Sequence, residues 1–179
     1  MTLGAVSETS TGPGSGRARF VPLILLAVLL WSCGPARERF RGTYESPEAV
    51  TQAFLRALKA GDRSALENLA LSEQEFLLEF FPEMPAYGNI PPDFAWSQLE
   101  LRNVYGVSFV LDRFRGRAWD LEDIVFRGGT TEYQSFIVYR EPMLRLRDRE
   151  TGEESELALF GSILEHGGRY KLLSCNIDR

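Results

Sequence analysis

The chain has 179 residues, 44% of them hydrophobic, 25% charged and 12% aromatic, which is enough apolar material for one domain with its own core. Its net charge of -5, from 20 Lys and Arg against 25 Asp and Glu, argues against a nucleic-acid surface, because phosphate contact needs clustered cations. Two Cys and one His exclude a zinc finger, a disulfide scaffold and a multi-His metal site, and nothing in the sequence asks for a cofactor. Residues 1–16 are rich in Gly, Ser and Thr without an apolar period, and read as a disordered extension. Arg17 and Arg19 then lead into the apolar run Phe20 to Leu30, followed by Trp31-Ser32-Cys33-Gly34. A basic start, a short apolar stretch and a small residue before a cut are the parts of a secretory signal. The apolar run is too short to cross a hydrocarbon core of about 30 Å, which takes about 20 residues.

The segment Leu30-Trp31-Ser32-Cys33 resembles the lipobox of bacterial lipoproteins: an aliphatic residue at -3, a small one at -1, then the Cys. Trp31 stands where that family carries a small side chain. The resemblance implies that Cys33 receives a diacylglycerol, that the signal is cut before it, and that the new N-terminus is acylated, with palmitate as a typical chain. Each acyl CH2 buried in a bilayer contributes about 0.8 kcal/mol, so two or three chains hold a polar domain at a membrane without a spanning helix. Losing residues 1–32 removes Arg17, Arg19 and Glu8 and takes the net charge from -5 to -6. An acidic body is repelled by anionic headgroups, which leaves membrane attachment to the anchor. Gly34 in place of Asp after the Cys implies, by the family's sorting rule in a two-membrane bacterium, an outer-membrane position facing the periplasm. The sequence thus divides into a signal peptide with its extension (1–32), a polar lipidated tether (33–45) and one α+β domain (46–179).

Within the domain, Ser46-Pro47-Glu48 predicts a helix start: a capping hydroxyl, proline at the first helical position and a carboxylate in the first turn. Val50, Ala53, Phe54, Ala57 and Leu58 give the helical stripe, and Gly61 the left-handed stop. Asp62 caps a second helix. Ser72-Glu73-Gln74-Glu75 is a capping box opening a third, which Pro82 ends. Residues 82–92 read as a Pro- and Gly-rich loop, and Asp93 to Phe114 as a long helix with Gly106 inside it. From Ala118 the spacing turns strand-like, with four or five antiparallel strands in a meander through Arg169 to Asp178.

Helices followed by a meander make an α+β layer arrangement, with the helices on one face of a sheet. The stretch from Ser46-Pro47-Glu48-Ala49-Val50 through Phe54-Leu55, Leu58-Lys59-Ala60-Gly61-Asp62 looks like the opening of nuclear transport factor 2-like (cystatin-like) domains of bacterial envelope proteins. The ending Gly167-Gly168-Arg169-Tyr170-Lys171-Leu172-Leu173 is similar to their last strand. The resemblance implies N-terminal helices packed on a curved antiparallel sheet that leaves a conical cavity.

That family includes isomerases and cyclases, which place an acidic base and a Tyr or Asp donor inside the cone, where an apolar setting raises the reach of both. Here Tyr105, Tyr133 and Tyr139 are candidate donors, and Asp112, Asp120, Glu122 and Asp123 candidate bases. No spacing singles out a pair. The sequence therefore favours a non-catalytic binding or assembly module, with a small-molecule-binding or isomerase- or cyclase-like enzyme using the cone as the alternative. Ligand contact is expected at Trp96, Tyr105, Tyr133 and Arg140, and the aromatic cluster Phe76, Phe80, Phe81, Tyr87, Phe94 and Trp96 either lines the mouth of an apolar pocket or plugs it, with core packing the default. Arg140 to Arg149 alternates apolar and basic residues, as a strand with one buried and one charged face does, and Arg113, Arg115 and Arg117 form a second basic group. His166 is expected in an exposed hairpin turn, and Cys175 as a small buried apolar residue. Expected partners are the membrane, through the anchor, and an envelope protein or a second copy of the chain; an exposed apolar strip on residues 132–146 would mark the latter.

Overall fold

The computed structural model describes residues 40–84 and 89–175. Cys33, with the signal region, and Tyr87 lie outside the described residues. Helix α1 (Pro47–Ala60) begins as its sequence dictates: Ser46 Oγ accepts from the Ala49 N–H at 3.1 Å, and Pro47 occupies the first turn. It ends on Gly61, whose φ of 68° lets its own N–H and that of Asp62 turn back onto Leu58 and Ala57. Asp62 caps α2 (Arg63–Asn68), accepting from the Ala65 N–H at 2.9 Å. The capping box at Ser72 opens α3 (Glu73–Glu75), which widens into a π-helical turn over Phe76–Phe80 and tightens to a 3-10 turn over Phe81–Glu83. Helix α4 (Pro92–Phe114) runs unbroken through Gly106, which is buried where the helix meets the core.

Seven strands follow: β1 (Trp119–Phe126), β2 (Thr130–Glu132), β3 (Phe136–Arg140), β4 (Pro142–Asp148), β5 (Glu154–Leu157), β6 (Ser162–His166) and β7 (Arg169–Ser174). All pairings between them are antiparallel. Where the sequence predicted one sheet of four or five strands, the described residues hold two sheets, ordered β1-β4-β5 and β2-β3-β6-β7. The chain passes from one to the other at matched levels. β1 leads to β2 across Gly128-Gly129, β3 leads to β4 across Glu141, and β5 leads to β6 by way of Gly161. Hydrogen bonds continue across the break, from Arg127 N–H to the Glu141 carbonyl (3.1 Å), from Arg140 N–H to Gly129 (2.9 Å), and from Glu141 N–H to Gly161 (3.2 Å). Glu141 has a φ of 53°, which a side-chain-bearing residue adopts at a cost, and Gly129 has a φ of 66°. Left-handed backbone on facing strands splits the ladder while preserving the meander order.

The main core lies between α1, α2, α4 and the strands, and is filled by Phe54, Leu58, Val110, Leu144, Leu146, Leu159, Phe160 and Ile163, all essentially inaccessible. Phe54 and Phe160 meet edge to face at 5.1 Å. The described part of the segment read as a tether, from Phe40 on, packs against the domain. Tyr44 exchanges two 2.9 Å backbone hydrogen bonds with Tyr170, and Leu71 and Leu172 bond alongside it, so the outer edge of β7 is covered. His166, expected in an exposed turn, instead ends β6 half-buried, with the Phe40 and Phe80 rings edge-on at 5.8 Å and Nδ1 2.9 Å from the Ser135 carbonyl.

Candidate functional site

A second core, more aromatic than the first, gathers Leu71, Phe76, Phe80, Met84, Ala95, Phe136, Val138 and Leu164. The π-helical turn contributes two of its rings. Phe76 and Phe80, four residues apart on one face of it, are both buried, and Phe80 meets Phe136 edge to face at 4.9 Å. Beside this cluster, Phe76, Met84, Phe94, Leu99, Arg102 and Leu173 help to line an apolar cleft of about 230 Å³. It opens towards one side of α4, where Phe94, Leu101, Val104 and Tyr105 are exposed. Phe94, Leu101 and Tyr105 recur at the 7- and 4-residue steps that share a helix face. Four of the six exposed large apolar residues described are therefore on α4, the others being Leu78 and Val125, and none lies on 132–146, because that segment turns its apolar side chains to the cores.

The structure distributes the sequence-predicted residues unevenly. Trp96 packs on Phe76 at 5.7 Å, and Tyr133 stacks on Phe136 at 4.4 Å, so both brace the aromatic core. Tyr105 is two-thirds exposed on the outer face of α4. Arg140 stands at the break between the sheets, donating from Nη2 to the Gly128 carbonyl at 3.0 Å, and shares no site with the other three. Asp120, Glu122 and Asp123 pair with Arg149, Arg147 and Arg145. Asp112 is exposed. Among the described residues no carboxylate of this set is hydrogen-bonded to Tyr105, Tyr133 or Tyr139. Tyr139 lies against Tyr170, ring centroids 6.3 Å apart, and burial, with Tyr170 and Glu165 adding to it, raises its pKa. Arg113 covers the Phe109 and Phe114 rings, Arg115 lies against Gly61, and Arg117 pairs with Asp148, so the basic group around Gly116 does not converge. Cys175 is fully buried, and desolvation pushes its thiol up to about 12, which leaves it without nucleophilic character near neutral pH. Among the described residues no group of His, Cys, Asp and Glu can hold a metal ion.

The most buried charges in the described structure were not legible as a pair. Lys171 on β7 donates from Nζ to both carboxylate oxygens of Glu75, at 3.1 and 2.8 Å, with both residues about one-twentieth exposed. Glu75 is the acid of the capping box, so the same carboxylate also accepts from Ser72 N–H and Oγ (both 2.8 Å) and from Arg41 N–H (2.9 Å). Burial pushes this carboxyl up, but the hydrogen bonds from Lys171, Ser72 and Arg41 outweigh it and hold the group below its ordinary value. The arrangement ties the tether's end, α3 and β7 to one point. Both carboxylate oxygens accept hydrogen bonds, which is what a buried charge needs if it is to hold a fold together.

Comparison of the chain with family models, curated proteins and solved structures finds no match in any of the three, so the functional reading rests on the residues and the geometry above.

Proposed function

We propose that this chain is a membrane-anchored bacterial envelope lipoprotein whose folded part is a binding or assembly module, partnered by an envelope protein or by a second copy of itself. The observation that carries the non-catalytic half of this reading is the filled interior. The space between helices and strands, where a cone-type enzyme would keep its cavity, is occupied by Phe54, Phe160, Val110, Leu144 and Leu146. The anchoring half rests on the Leu30 to Cys33 segment. The likeness to nuclear transport factor 2-like domains belongs to the same reading. It is supported by helices preceding a meander whose order is kept through both sheets. With Cys33 as the attachment point, residues 34–39 allow at most about 25 Å before Phe40 joins the fold, so the module works close to the bilayer surface.

The test is intact-mass spectrometry of the protein isolated from bacterial membranes. The expected species begins at Cys33 and carries diacylglycerol and an N-acyl chain, whereas Cys33→Ala accumulates as unprocessed precursor. A bare thiol at Cys33 in membrane-bound material would overturn the anchoring. An envelope protein crosslinked to the α4 face around Phe94 and Tyr105 would support the binding role.

A further inference from the structure

A second cleft, at the edge of the main core, lies between α1 and the start of β1. It measures about 390 Å³, within the range of about 300–1,000 Å³ that small-molecule sites occupy. Its apolar wall is made by Leu55, Trp119 and Leu121, of which the first two are buried. Its rim carries Gln52, Arg56 and Lys59, one helical turn apart along α1, and Asp120 with Arg149 from the strand side. The charges on this rim differ in kind. Arg149 is bound through Nε and Nη2 to one oxygen of Asp120, which neutralises the one carboxylate that lines the cleft among the described residues. Arg56 and Lys59 have no carboxylate partner among the described residues, whereas Arg127, Arg145 and Arg147 on the neighbouring sheet are each held by an acid. Lys59 lies in the last turn of α1, where the helix dipole favours a cation without any ligand. Arg56, a turn earlier, has no such explanation. Two unpaired cations above an apolar wall, in a chain of net charge -5, form a local positive site.

We propose that this cleft binds a small amphipathic anion, with a carboxylate or phosphate head held between Arg56 and Lys59 and an apolar body against Leu55 and Trp119. Arg56 supplies the planar fork that such a head accepts from two sides, and Lys59 adds a point charge. Gln52 is placed to donate to an uncharged oxygen of the same ligand. The acidic surface of the rest of the domain repels an anionic leaflet, so the ligand comes from solution and is not a bilayer headgroup.

The test is calorimetric titration of the full chain, carried in discs of neutral phosphatidylcholine, with phenyl phosphate as the probe. Phenol and inorganic phosphate serve as its two halves. Phenyl phosphate is expected to bind at least tenfold more tightly than either half, and more weakly as salt is raised. The double variant Arg56→Gln/Lys59→Gln is expected to lose at least tenfold in affinity, with an unchanged unfolding midpoint because both side chains are exposed. Equal affinity in the variant, or no binding of phenyl phosphate by the native chain, would overturn the site. Discs containing phosphatidylglycerol separate the sources: undiminished binding supports a soluble anion, and competition by the disc lipid overturns that assignment. The phenyl phosphate titration reads the cleft whether or not the chain is lipid-anchored, whereas the phosphatidylglycerol comparison rests on the proposed anchoring, so failure of the site and failure of the anchor are distinguishable.

Discussion

Opposite charges meet in two very different places in this molecule. On the sheet of β1, β4 and β5, Arg145 lies between Asp123 and Glu156, Arg147 between Glu122 and Glu154, and Arg149 beside Asp120, each arginine about half exposed. Behind β7, Lys171 and Glu75 meet at about one-twentieth exposure. The outer ladder keeps its water, so attraction between its members is screened and largely offset by the entropy of holding long side chains still. The inner pair has given up its hydration, and only complete hydrogen bonding makes that tolerable. The ladder thus decides which face of the sheet meets solvent, whereas the inner pair decides whether α3, β7 and the chain entering at Arg41 come together at all.

Breaking the inner pair gives the largest expected effect. Lys171→Met leaves the Glu75 carboxylate buried without its cation and is expected to destabilise the fold by about 3–5 kcal/mol in urea unfolding. Adding Glu75→Gln to Lys171→Met removes both charges yet keeps an oxygen for the Ser72 N–H, and is expected to recover most of that loss. If the double variant is no more stable than Lys171→Met alone, the cost comes from packing around β7 and not from an unpaired charge.

A smaller effect follows from the same carboxylate. Glu75 titrates below 4.5 in the folded protein and near that value when unfolded, so the unfolded chain binds its proton first. Its contribution is therefore complete above about pH 5 and is lost as pH falls through the lowered folded value. Urea midpoints measured downward from pH 6 are expected to fall more steeply below pH 4.5 in the native chain than in the Glu75→Gln/Lys171→Met variant. Parallel curves would mean that other acids govern acid unfolding.

What the sequence reveals and what it hides follow the same division between near and far. The starts of α1, α2 and α3 are legible because Ser46, Asp62 and Ser72 find their partners three residues away. The end of α1 is legible because Gly61 alone relieves a left-handed φ. Glu75 is read correctly as the acid of a capping box and still missed as half of an ion pair, since Lys171 lies 96 residues on and sits in a strand where a lysine looks like an outward residue. The split of the strands into two sheets is hidden because Glu141 carries no glycine signal at the position that breaks the ladder. Trp96 and Tyr133 stand out in the sequence as aromatic side chains, but only packing shows that they brace the second core. The cleft beside Trp119 was invisible for a related reason: Arg56 and Lys59 on the polar side of an amphipathic helix read as a solvated face until β1 is brought alongside.

The smallest expected effect completes the contrast. Arg147 donates to both Glu122 and Glu154, and these neighbours raise its pKa, which on its face makes it the best-connected cation of the outer ladder. Its head is nevertheless in water, and Glu122 falls at the irregularity in β1 between Leu121 and Asp123, where the strand register is already interrupted. Arg147→Gln keeps the hydrogen-bonding reach and removes only the charge, and is expected to leave the urea midpoint within measurement error of the native chain. The same insensitivity should extend to added salt, since a screened pair has little left to lose. A clear drop in midpoint for Arg147→Gln that vanishes in high salt would mean that the ladder acts cooperatively, with Arg145 and Arg149 depending on the charge between them, and that the outer set holds the fold as well as orienting the sheet.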